Sequence, residues 1–252
     1  MSIIDTFDNQ SEEIIQPRNV VQPVENFPEV VIVTFSSKIC DLIVTYEKVE
    51  QISELSCGFT TIPIYKIDMN GKVFAFYLTM IGGSASAALM EEVIAKGGRK
   101  FLFFGSCGVL DKNIVTNHLI IPTSAYRDEG VSYHYMQASD YIDIPSSNQL
   151  TEIFEELNYP YIKTKTWTTD AFYRETRNNM LKRKEDGCLV VEMECASLTA
   201  VAQFRKVDFY QFLYTEDSLD GVEWDKRTMG KLTRDDREKY LLMALEVAQK
   251  IS

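Results

Sequence analysis

The chain has 252 residues, enough to bury one substantial core, and carries a formal net charge of −11. That excess of acid excludes nucleic acid and anionic membrane as main partners, since both demand basic patches. Hydrophobic residues at 45% and charged residues at 25% fit a soluble globular protein, and no apolar run reaches the length of a bilayer span or a signal-peptide core.

Five cysteines, an odd set without a Cys-x-x-Cys pair, point to reduced thiols and a cytoplasmic setting. With only two histidines, His118 and His134, and no metal-ligand spacing, no metal site is expected. The absence of a Gly-x-Ser-x-Gly elbow argues against a serine hydrolase.

Residues 1–28 are polar, acidic and broken by Pro17, Pro23 and Pro28, so an irregular arm is expected, frayed or lying on a neighbouring subunit. Residues 29–252 then read as one domain. Val30–Phe35 is a buried strand, followed by an apolar-faced helix at 39–44 and a long strand from Lys72 to Ile81. Gly82-Gly83 opens a helix over 84–95 that Gly97-Gly98 closes. Phe101–Phe104 has the wholly apolar character of a central strand. Further strands are predicted at 118–122, 163–168 and 209–214, and helices at 147–158, 175–184, 195–205 and 233–251, the last with a Thr233…Asp236 capping pattern. The alternation of strand and helix predicts a mostly parallel sheet covered on both faces, and the fold expected is a three-layer α/β/α domain with a mixed, partly barrel-like central sheet.

Chemistry concentrates where strands end, the usual place for ligands in such sheets. Phe104 leads into Gly105-Ser106-Cys107-Gly108, read as a tight turn whose N–H groups and Ser106 hydroxyl can cradle an anion or sugar oxygen. Val191 leads into Glu192-Met193-Glu194, and Tyr214 into Thr215-Glu216-Asp217. Gly82-Gly83 stands at a helix mouth whose positive end favours an anion. Each has a plainer alternative: a simple turn, helix-capping or ion-paired acids, a solvated loop, strand-to-helix punctuation.

Taken together and in this order, Phe104-Gly-Ser-Cys-Gly108, Thr169-Asp-Ala-Phe-Tyr173, Val191-Glu-Met-Glu194 and the late acid Asp217 resemble the nucleoside phosphorylase family, which includes hexameric purine nucleoside phosphorylases and uridine phosphorylases. The resemblance runs from about Val30 to the C-terminal helix. It implies a pentosyltransferase that cleaves the N-glycosidic bond of a purine ribonucleoside or uridine, with inorganic phosphate as co-substrate and no other cofactor. It implies a homo-oligomer, a dimer or trimer of dimers. Breaking that bond builds positive charge on the ribose and negative charge on the departing base. Glu194, with Glu192 beside it, would accept hydrogen bonds from the ribose diol, and Met193 would pack along the sugar. Phe172 would stack on the base, with Cys107, Gly108 and Arg177 around it. A raised pKa would let Asp217 protonate purine N7. Gly83, Ser106 and Lys38 would hold phosphate.

The chain departs from the family on the phosphate side. Phosphorolytic members typically place Gly-Asp-Pro-x-Arg after the first strand and an arginine just before the Gly-Ser turn. Here those stretches are Thr34-Phe-Ser-Ser-Lys38 and Phe103-Phe104, and no arginine lies near Ser56-Cys57-Gly58. Bidentate arginine contacts are hard to replace with one lysine. A phosphate-independent nucleosidase and a nucleoside-binding protein without catalysis are therefore the rival readings. Arg127–Tyr135 gathers Arg127, Glu129, Tyr133 and His134, either as added anion or base contacts or as a polar loop at a subunit interface. Arg174 and Arg177 leave room for a pyrimidine, and 217–225 reads as a flap over the site.

Overall fold

Every residue of the first strand, β1 (Val30–Thr34), is buried, as expected of a strand covered by helices on both faces. The computed structural model describes residues 2–46 and 48–252. Before β1 the arm carries a 3-10 turn (Ile3–Asp5) and a short helix, α1 (Pro17–Val20). It lies on its own chain: Glu13 pairs with Arg205 at 2.9 Å, and the Val24 N–H donates to the Lys96 carbonyl at 3.0 Å.

After β1 come α2 (Ser37–Ile43), β2 (Val49–Cys57), β3 (Thr60–Met69), β4 (Lys72–Leu78) and α3 (Gly83–Lys96). The middle of the chain supplies β5 (Lys100–Val109), β6 (Leu119–Asp128), α4 (Ser132–Tyr135), β7 (Tyr141–Asp143), α5 (Ser147–Glu156) and β8 (Ile162–Thr169). The last third holds α6 (Arg177–Glu185), β9 (Cys188–Glu192), α7 (Cys195–Arg205), β10 (Asp208–Ser218) and α8 (Arg234–Ile251). Thr233 caps α8 by accepting from the Asp236 N–H, whose carboxylate accepts in turn from the Thr233 N–H.

The ten strands form one mixed sheet. β5, β9, β8, β6 and β10 pair in a ring, because β10 bonds to β6 on one side and to β5 on the other. From β5 an open wing continues through β1, β4, β3 and β2. One face is packed by α2, α5 and α8 through Ile39, Leu150, Phe154, Leu241 and Leu245. The other is packed by α3 and α7 through Leu89, Met90, Val93, Leu198 and Val201. This is the expected three-layer, partly barrel-like α/β fold, with more antiparallel pairing than strand–helix alternation alone predicts. Among the described residues no helix is long and apolar enough to cross a membrane.

Two expectations change. Gly105-Ser-Cys-Gly108 is not a turn but the second half of β5, paired through Gly108 with Val191 of β9 and through Gly105–Gly108 with β10. Its turn-forming residues stay extended because both flanks are bonded. The β2–β3 hairpin has no counterpart in the sequence reading, since half-exposed edge strands lack a continuous apolar run.

Candidate active site

Three strand ends meet around Ser106–Gly108. On one side β9 pairs Val191 with Gly108, and the next residue, Glu192, lies near the Cys107 thiol before the chain turns into Met193-Glu194. On the other, β10 pairs Thr215 with Cys107 and, after a bulge at Glu216, Asp217 with Gly108. Gly108 makes this crossing possible: a Cβ there would lie 3.1 Å from Asp217 Oδ1, 3.1 Å from Val191 Cγ1 and 2.8 Å from Leu219 Cδ1. The Cys107 thiol is buried, donates to the Tyr214 carbonyl at 3.7 Å, and is pushed far up by burial and then by Asp217, Glu192 and Glu216. It is a packing element, not a nucleophile.

The two acids of Glu192-Met193-Glu194 divide their work. Glu192 accepts from the Thr166 and Thr168 hydroxyls on one oxygen and from the Glu194 and Cys195 N–H groups on the other. Both oxygens are filled, so Glu192 caps α7 and fastens β9 to β8 rather than meeting a sugar. The expectation of a ribose contact from it gives way to this capping role. Glu194 accepts from the Gly82 N–H at 2.6 Å and is otherwise walled in. Burial, then the neighbouring Glu192, pushes its carboxyl up to about 8.

Asp217 is half-buried. Desolvation raises its pKa, opposed by the Trp224 indole N–H, which donates to Oδ2 at 2.7 Å, and by Arg227. Oδ1 is the oxygen beside Gly108. Glu216, one residue earlier, is also raised by burial and opposed by the Ser106 hydroxyl. Glu175 went unnoticed in the sequence. It follows the 3-10 turn Phe172–Arg174, and burial together with Asp217 pushes its carboxyl up to about 7. The signal available was an acid directly behind the aromatic pair.

The phosphate side is apolar. Phe35 packs on the backbone of Gly105, where a Cβ would meet its ring at 2.8 Å, and its ring centroid is 6.1 Å from that of Phe103. Phe35 thus follows β1 directly, while Phe103 is buried in the first half of β5. Lys38 is exposed, and so is Ser106. Gly83 lies under Ser197 of α7, with no room for a Cβ beside the Ser197 hydroxyl, and the Gly82 N–H at the mouth of α3 is already given to Glu194.

On the base side Phe172 is 46% exposed and stacks on Tyr173 with centroids 4.0 Å apart. Arg177 donates to the Gly221 and Val222 carbonyls, so it ties down the flap rather than pointing at a base, and Arg174 is exposed. The flap is held further by the Ser218–Asp225 bridge and by Lys184, 2.8 Å from Asp220. Arg127 and Glu129, expected in a polar loop, are buried.

A family model described as the phosphorylase superfamily matches residues 29–251. A DeoD-type purine nucleoside phosphorylase of Alkaliphilus metalliredigens is 27% identical over 186 residues, covering 72% of this chain and 77% of that protein. A guanosine phosphorylase of Halorubrum lacusprofundi is 28% identical over 158 residues, 60% of this chain and 64% of its own. The solved purine nucleoside phosphorylase of Toxoplasma gondii, in complex with immucillin-H, shares the fold with a TM-score of 0.76 at 17% identity, over 96% of this chain and 98% of that one. A match that runs from the start of β1 to the end of α8, over a barrel and wing shared with a solved nucleoside phosphorylase, places this chain in the phosphorylase superfamily, among the nucleoside phosphorylases.

Proposed function

We propose that the chain cleaves the N-glycosidic bond of a purine ribonucleoside, with inorganic phosphate as acceptor, releasing free base and ribose 1-phosphate. The observation that carries this reading is the flanking of Gly108 by Val191 of β9, whose strand leads into Glu192-Met193-Glu194, and by Asp217 of β10. As the bond lengthens, Glu194 would accept hydrogen bonds from the vicinal hydroxyls and hold the sugar in place. Asp217, held by Trp224 through Oδ2, would carry its proton on Oδ1 and deliver it to N7 of the leaving purine. Desolvation keeps that proton on at higher pH than an ordinary aspartate would. With Arg177 engaged by flap carbonyls, a pyrimidine contact has less support than a purine one.

A specific observation favours a second reading, hydrolysis without phosphate: Phe35 follows β1 and packs on Gly105, and Lys38, the cation expected there, is exposed. One experiment separates the readings. Base release is followed from a panel of nucleosides, with and without phosphate, for the wild type and Asp217→Asn. Release that needs phosphate supports the transferase, and equal release without it supports the hydrolase. Asp217→Asn should lose at least about 100-fold in turnover while keeping nucleoside affinity. A wild type that binds nucleosides and never releases base would overturn both.

A further inference from the structure

The segment Arg127–Tyr135 is not used by the site as described, yet its core is buried: Arg127 is 3% exposed and Glu129 7%. The Glu129 carboxylate accepts from the Ser132 N–H at 3.0 Å, from the Ser132 hydroxyl, and from the Ser197 hydroxyl at 2.5 Å. Arg127 joins through Ser132, whose Oγ accepts from its Nε at 2.7 Å, and its guanidinium lies over the Tyr133 ring at 4.1 Å. A second guanidinium nitrogen donates to the Gln137 carbonyl and the Ser139 hydroxyl. The loop is also tied to β8, because the Gly130 N–H donates to Asp170 at 2.9 Å and the Trp167 indole to Asp128 at 3.0 Å.

What this network touches is more informative than what it contains. Ser197 is on α7, and its Oγ lies directly against Gly83. Gly83 starts α3, and the preceding Gly82 N–H holds Glu194 at 2.6 Å. A serine hydroxyl has one rotor, and donating it to a buried carboxylate fixes the oxygen's place. Buried acids of this kind add little stability over a well-packed apolar group; what they add is orientation.

We propose that Glu129 is a positioning residue for the diol-binding carboxylate: through Ser197 it seats the Gly82-Gly83 step, and that step sets the orientation of Glu194. The proposal rests on the reading that Glu194 grips the sugar diol, and its test keeps the two apart. Equilibrium binding of inosine and of 2′,3′-dideoxyinosine is measured by calorimetry in the Asp217→Asn background, so that bound nucleoside is not consumed. Glu129→Gln and Ser197→Ala are each introduced there, with thermal melting as the folding control.

The parent should prefer inosine. Each added substitution should weaken inosine binding about tenfold, the scale of one misdirected hydrogen bond, and leave dideoxyinosine binding within about twofold. Equal weakening of both ligands, or no weakening of either, overturns the positioning role while the diol reading stands. A parent without any preference for inosine overturns the diol reading and this proposal with it. Should Glu129→Gln fail to fold, Ser197→Ala carries the same comparison, since it removes one donor and keeps the carboxylate.

Discussion

Glu194 holds a carboxyl group where charge is costly, at 6% exposure with Glu192 as its neighbour. Its folded pKa of about 8 lies above the ordinary value of 4.5. The folded state therefore binds this proton more tightly than the unfolded chain does. Stability from this group is complete below about pH 4.5, falls as pH rises, and is gone above about 8. Glu194→Gln keeps an oxygen for the Gly82 N–H and removes the titration. The variant should gain little melting temperature at pH 5 and roughly 5 °C or more at pH 9. An equal gain at both pH values in a melting series would refute the assignment. The substitution should also weaken ribonucleoside binding, the usual exchange of stability for function at a site. Glu192, four hydrogen bonds deep, offers no such gain, because Gln there would turn an amide donor toward other donors.

Among the elements, α3 and α7 meet at a point with no slack. Gly83→Ala would drive a methyl group into Ser197, and overpacking of this kind destabilises by about 1–3 kcal/mol. Ser197→Ala in the same chain should restore part of that loss, so the two substitutions should be non-additive in denaturant unfolding. Additive effects would mean that the helices slide apart freely. The elements legible in the sequence were those whose signal is local. Val30–Thr34 and Phe101–Phe104 are apolar runs, and Gly82 and Gly97 bracket α3 with positive φ of 99° and 137°. The rest depends on distant partners. Ser106 and Gly108 are extended only because β9 and β10 bond either side of them. Glu194 and Asp217 could be picked out because acids following apolar strands are unusual. Phe35 and Ser197 could not, since each takes its role from a residue across the fold.

For the whole molecule, β5 is the strand that the barrel and the wing share, bonded to β10 along one edge and to β1 and then β9 along the other. Hydrogen exchange should find its amides among the slowest, near the global unfolding limit. The segment at 219–225, which holds exposed Val222 and Trp224, should exchange faster than the strands around it. Slow exchange in the flap of the free protein would show that it is not a separable unit.

The Trp224–Asp217 hydrogen bond then acquires a further meaning. Trp167 is buried in the barrel wall and Trp224 is 56% exposed, so the chain carries one fixed and one movable indole. A purine that took the proton from Asp217 Oδ1 would leave a carboxylate whose Oδ2 still accepts from that indole. Occupancy would therefore be visible as a change in emission from a native fluorophore, with no label attached.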